Sequence, residues 1–292
     1  MLRRSLMIGA CLLPLPALAP ARAKAAGTVN VLYAGSLVNL MEHAVGPAFG
    51  KATGDTFQGF AGGSNGLANQ IKGKLRRGDV FISANPAVND SLMGTANGDW
   101  VSWYITFAQS PLLLGYNPAS RFAADLKSKP WYEVLQEPGI RIGRTDPKLD
   151  PKGALTVQLV DRASQVYKLP GLTEKVLGAA DNPAQVQPEE NLVGRLQSGQ
   201  LDVGFFYSTE TSDLHIPAIT LPAEVALSAH YTVSILHDAP NQAGAAGFVA
   251  YLLGPQGRKV MRDHGLDVVT PAASGNLAMI PAVVKRRLPS GK

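Results

Sequence analysis

Cysteine is almost missing from this chain: of 292 residues, only Cys11 carries a thiol. It lies in an N-terminal stretch with the marks of an export signal. The start is basic (Arg3, Arg4), an apolar run from Leu6 to Ala19 is broken by Pro14 and Pro16, and Ala21-Arg22-Ala23 supplies a small-residue cleavage site. Residues 1–23 are read as that signal peptide, so the remaining chain has no disulfide, thiolate metal site or cysteine nucleophile. Long apolar runs are also lacking. After the signal, none reaches the roughly 18 to 20 residues needed to span a bilayer, the longest being the stretch from Ala243 to Gly254. Charge of one sign is not in excess either. Lys and Arg number 27 against 22 Asp and Glu; without Arg3, Arg4 and Arg22 the balance is 24 against 22, or +2. Such a balance leaves no nucleic-acid footprint. The five histidines, His43, His215, His230, His237 and His264, show no metal-ligand spacing. No cofactor motif and no internal repeat is apparent.

What the chain does have is a pair of strand-to-helix turns, each with a serine at the helix start. One is Val29-Asn30-Val31-Leu32-Tyr33-Ala34-Gly35-Ser36, the other Phe57-Gln58-Gly59-Phe60-Ala61-Gly62-Gly63-Ser64. After Ser36, the residues Leu37, Leu40, Met41, Ala44, Val45 and Ala48 recur at the spacing of one helix face, which predicts Ser36 as an N-cap. After Ser64, Leu67, Ala68, Ile71 and Leu75 repeat the pattern. Helix N-termini present free N–H groups and the positive end of the helix dipole, and Gly35, Gly62 and Gly63 let a ligand approach the backbone. Two such turns can aim at one small anion. Capping alone would also explain either serine.

Short apolar strands alternate with helical patterns throughout, which predicts an α/β protein with mainly parallel sheets. About 269 residues after the signal exceed what one core usually serves, so two lobes are expected. Lobe I is assigned to residues 24–112 plus 230–292 and lobe II to 113–229. The segments Asp79 to Ala84, Val203 to Tyr207 and Tyr231 to Leu236 are predicted strands, Pro188 to Leu196 a helix, and the chain is expected to finish with a helix pair around Phe248–Leu253 and Arg258–His264. Ligands of open α/β sheets sit beyond the carboxyl ends of the strands, where these turns lie. A ligand between two hinged lobes is buried when they close.

With these features the chain resembles the substrate-binding proteins of ABC importers of the molybdate- and tungstate-binding type. The resemblance rests on Ala34-Gly35-Ser36-Leu37, Ala61-Gly62-Gly63-Ser64 and the strand from Asp79 to Ala84. It extends to Trp103-Tyr104-Ile105-Thr106-Phe107-Ala108, Trp131-Tyr132-Glu133-Val134-Leu135, Asp146-Pro147, Asp150-Pro151-Lys152-Gly153 and Tyr251-Leu252-Leu253-Gly254-Pro255-Gln256-Gly257. It implies a two-lobe periplasmic binding protein fold of type II, with each sheet flanked by helices and the ligand in the interlobe cleft. It further implies a monomeric, non-enzymatic periplasmic receptor without cofactor, whose partners are molybdate or tungstate and a membrane permease. By the same resemblance Ser36 and Ser64 bind oxyanion oxygens, backbone donors come from near Lys152 and Glu189, and the Tyr207 hydroxyl completes the shell. Phe206 stands where many tungstate-preferring members carry a glutamate, which favours a tetrahedral anion in a shell made mostly of donors. Asp150 is either a direct ligand of the anion's central metal or a helix cap. The Lys152 side chain either faces solvent or adds charge to the site, and Glu189 and Glu190 are expected to point outward.

Two other readings compete. Another oxyanion such as sulfate would suit the same turns. Gly62-Gly63-Ser64-Asn65-Gly66 matches G-x-S-x-G in strand-to-helix context, as in a serine hydrolase built on Ser64. Asp213 and His215 follow in the right chain order, but two residues apart they could not readily supply both triad partners.

Overall fold

The computed structural model describes residues 27–289; the signal-peptide reading of residues 1–23 falls outside them. The first strands, β1 (Thr28–Ala34), β2 (Thr56–Gly62) and β3 (Val80–Ser83), carry the predicted apolar runs. Strand β1 lies between the other two and is parallel to both. Parallel neighbours need crossover connections, and the helical segments after Ala34 and Gly62 supply them. The first begins as a 3₁₀ turn (Gly35–Leu37), widens to π geometry over Met41–Val45 and ends at Thr53. The widening immediately precedes Pro47, which has no N–H to give the preceding turn. The second is the Ser64–Lys72 helix, which buries Leu67, Ala68 and Ile71. Leu75, expected on that face, lies past the helix end and is 79% exposed.

Strand β4 (Trp103–Tyr116) ties the molecule together, because its two halves serve different neighbours. Two further groups of strands follow: β5 (Ile142–Gly143), β6 (Val203–Tyr207) and β7 (Ala218–Ile219), then β8 (Ser228–Ile235) and β9 (Asp267–Gly275). Residues 105–111 of β4 pair with β8, and residues 103–109 pair with β9, both antiparallel, with an irregularity between Thr106 and Ala108. From Leu112 to Tyr116 the strand pairs with β6 instead, and β7 joins at Leu114 and Gly115. β5 and β6 are parallel. The order is β2-β1-β3-β8-β4-β6-β5, so two parallel-wound groups are linked by antiparallel crossing strands. This is the two-lobe architecture of periplasmic binding proteins, with the helices packed on the sheets.

Two elements depart from expectation. The chain does not finish with the helix pair Gln242–Leu252 and Pro255–Asp263, because β9 follows and returns to β4. Its pattern is half-exposed and interrupted by Pro271, which hides an edge strand from periodicity. A short helix, Ser208–Asp213, also follows β6 directly.

Candidate functional site

The two serine turns reach the same region but do not cap their helices. Ser36 is the middle residue of its 3₁₀ turn and Ser64 the first residue of its helix; neither helix start has a side-chain cap. The Ser36 hydroxyl lies 2.8 Å from the Tyr231 hydroxyl on β8. Ser64 Oγ accepts the Ala84 N–H at 3.2 Å. Opposite them stands the Glu189–Gln197 helix, whose N-cap is Pro188 and which also lacks a side-chain cap. Its Glu189 packs so closely on Gly35 that a side chain there would collide with it.

Asp150 is a helix cap: its Oδ1 accepts the Lys152 N–H at 2.7 Å at the start of the Pro151–Val166 helix. That bond corrects the expectation that the Lys152 N–H is free for a ligand. The Lys152 side chain faces neither solvent nor a cleft. It is fully buried, with Nζ 2.7 Å from Glu189 Oε1 and 2.9 and 3.0 Å from the two carboxylate oxygens of Glu210. Glu189 therefore turns inward, against the outward orientation expected, whereas Glu190 is exposed. The dipole favours a carboxylate at this helix start either way; the buried ammonium decides the direction.

Glu210 was missed by sequence reading. A signal was present, since an acidic residue three positions after a helix start is the second half of a capping box, and here Glu210 Oε2 accepts the Tyr207 N–H at 2.8 Å. Tyr231 was read only as part of a strand. Its ring meets that of Tyr207 edge-on at 6.2 Å between centroids. Two buried polar atoms at this place have no hydrogen-bond partner among the described residues: the Tyr207 hydroxyl and Glu189 Oε2. The expected shell of donors thus includes a carboxylate acceptor.

One ammonium faces three carboxylates here. Like unit charges 4 Å apart repel by about 4 kcal/mol at an effective dielectric near 20, so the cluster favours protonation. Burial, joined by the charge of Glu189, raises Asp150 to about 8 although Lys152 pulls it down. Burial likewise raises Glu210 to about 7. For Lys152 burial opposes the charge, but Glu189, Glu210 and Asp150 outweigh it and push the ammonium above its ordinary range. The consequence is testable. In the unfolded chain both carboxyls titrate near 4, so between about pH 4 and 8 the folded protein holds more protons and their contribution to stability is lost as pH rises. Urea midpoints of the anion-free protein, compared with those of Asp150→Asn, should show the parent losing more between pH 5 and 8; equal slopes would refute the buried-acid assignment.

A cleft of about 380 Å³ lined by Gly62, Gly63, Asp150 and Glu189 opens beside this cluster, and a recess of about 230 Å³ lined by Ser36, Glu189 and Glu210 adjoins Glu189 from the other side. Across the cleft Gly66 N–H donates to the Leu149 carbonyl at 3.0 Å and Asn65 Nδ2 to the Lys148 carbonyl at 3.1 Å. A larger cleft of about 640 Å³ lies elsewhere and holds none of the predicted site residues. Ser102 Oγ and His237 Nε2 meet there at 2.6 Å, but Asp99 is 3.7 Å from His237 Nδ1, too far to orient the ring by a hydrogen bond. Asp213 pairs with Asn39 and with His264 rather than with His215 or Ser64.

Two groups of strands joined by crossing strands, with a cleft lined by Gly62 and Gly63 on one side and Asp150 and Glu189 on the other, are the fold of the two-lobe binding proteins. The chain belongs to the bacterial extracellular solute-binding protein family, whose model matches residues 29–267. It is 26% identical over 269 residues to the molybdate/tungstate-binding protein of Thermococcus kodakarensis, covering 76% of this chain and 75% of that one. It is 28% identical over 264 residues to an uncharacterized solute-binding protein of Petrotoga mobilis, covering 79% and 80%. The fold matches the periplasmic molybdate-binding protein of Azotobacter vinelandii with a TM-score of 0.64 at 20% identity, over 82% of this chain and 98% of that chain. The family and these relatives are binding proteins rather than enzymes.

Proposed function

We propose that the protein is the periplasmic receptor of an ABC importer, binding molybdate or tungstate as a tetrahedral oxyanion and delivering it to the membrane permease. In this reading it acts as a monomer once residues 1–23 are cleaved. Lobe I comprises residues 24–112 plus 230–292 and lobe II residues 113–229, with the anion held between Ser36, Ser64, Tyr207 and the start of the Glu189 helix. The observation that carries the reading is the buried Tyr207 hydroxyl without a partner, beside helix starts that no side chain caps. An oxyanion supplies what both lack. The serines suit the role: Ser64 already accepts from Ala84, and with Tyr231 donating to Ser36 each serine keeps its own O–H for the anion. The names of the sequence relatives, molybdate/tungstate-binding proteins, favour these anions over sulfate.

Calorimetric titration with molybdate, tungstate, sulfate and phosphate tests the proposal. Tight binding of molybdate or tungstate is expected, and absence of heat with all four anions would refute it. A hydrogen bond to a charged oxygen contributes about 1.5 to 3 kcal/mol, so Ser36→Ala and Ser64→Ala should each weaken binding on the order of tenfold to a hundredfold. If both variants bind as tightly as the parent, the anion lies elsewhere.

A further inference from the structure

Three hydrogens of the Lys152 ammonium meet three carboxylate oxygens, one of Glu189 and two of Glu210. An ammonium has three donors, so none remains for a ligand. The Lys152 ammonium is thus committed to the protein, and no lysine or arginine among the described residues lines the cleft or the adjoining recess, so a dianion entering there meets Glu189 and Asp150 without a free positive charge to offset them. Glu189 Oε2 is buried and has no partner among the described residues. A carboxylate oxygen only accepts, and an oxyanion oxygen only accepts. The contact between them is attractive when one proton lies between the two.

On the reading of the site as an oxyanion receptor, we propose that the dianion is bound together with one proton, placed between Glu189 Oε2 and an oxygen of the anion. For molybdate, a full dianion near neutral pH, that proton is taken from solvent on binding. An anion such as hydrogenphosphate would bring its own. Glu189 then acts as the residue that reads the proton content of the ligand, while its Oε1 stays on Lys152. The groups facing it fit this role. From the Pro151–Val166 helix come Lys152 and, at its cap, Asp150; from the Ser208–Asp213 helix comes Glu210, and from β6 and β8 the hydroxyls of Tyr207 and Tyr231. The Gly35–Leu37 turn adds no titratable group. Lys152 is held charged, Glu210 has all its contacts with donors, and Asp150 Oδ1 is used by the Lys152 N–H. The raised Asp150 and Glu210 carboxyls are consistent with a cluster that gains protons near neutrality.

The test is calorimetry of the full-length mature protein with sodium molybdate at pH 8.5, in Tris and in EPPS, whose heats of ionisation differ. The expected result is uptake of about one proton per anion in the parent, with affinity falling about tenfold per pH unit above neutrality. Glu189→Gln should bind molybdate with no proton uptake and a flat pH dependence, since the amide donates directly. Binding by the parent with no proton uptake overturns the proposal while leaving the receptor reading intact, and so does uptake that persists in Glu189→Gln but disappears in Asp150→Asn. No binding of molybdate or tungstate at all sinks the receptor reading and the proposal with it. The parent measurement stands by itself if the variant fails to fold.

Discussion

Replacing Lys152 by methionine is expected to cost about 3 to 5 kcal/mol of folding stability at pH 8, the usual penalty for breaking a buried ion pair by removing one partner. The cause is the company Lys152 keeps. Its side chain is 1% exposed and those of Glu189 and Glu210 are 3% and 5% exposed, so neither carboxylate can turn to water when the ammonium is gone. The loss should shrink toward pH 6, where Asp150 and Glu210 take up protons more readily. Adding Glu189→Gln and Glu210→Gln to Lys152→Met should restore most of the stability, because the charges left behind, not the missing methylenes, make the single change severe. Urea unfolding of the parent, single and triple variants measures this. A single variant as stable as the parent at pH 8 would mean that the charge cluster is open to solvent.

The second large effect is expected at Gly63. A β-carbon built there would sit 2.5 Å from the Leu149 carbonyl oxygen and 3.1 Å from Asp150 Oδ2. Both belong to the segment across the cleft, and the collision is with backbone, which cannot swing aside. The local conformation itself tolerates alanine, since Gly63 has φ −58° and ψ 130°. Gly63→Ala should therefore leave the anion-free protein almost as stable as the parent if its lobes part, and weaken molybdate binding by about tenfold to a hundredfold, in line with the roughly 1 to 3 kcal/mol of overpacking. Thermal unfolding without anion and calorimetry with it separate the two quantities. Unchanged affinity would mean that the Gly63–Leu149 contact is no part of the bound state.

Mass action gives the same experiments an independent readout. Saturation at a thousand times the dissociation constant stabilises a fold by about 4 kcal/mol, which Gly63→Ala should lose in part and Lys152→Met should show on a lowered baseline.

Much of the architecture was legible in the sequence because burial leaves periodic marks. The run Val203 to Tyr207 is a strand with every residue buried, and the helix face after Ser36 buries Leu37, Leu40, Met41 and Val45 as the spacing required. The glycine-serine turns, the alternation of strands and helices and the resemblance they carry were enough to place the chain among solute-binding proteins. Strand β9 escaped because an edge strand exposed on one face and interrupted by a proline leaves no clean alternation.

The sequence alone thus determined most of the strands and helices that carry the site, where the glycine-serine turns fall, and that no cysteine occurs beyond residue 23. Only the tertiary structure decided which way the side chains at those turns point. Periodicity records whether a position faces the core, but Lys152, Glu189 and Glu210 meet across separations of 37 and 58 residues, and Ser36 reaches Tyr231 across 195. A carboxylate at a helix start is equally at home in solvent or on a buried ammonium. The distant partner, brought there by the pairing of β6 with β4 and by the crossing strand β8, made the choice.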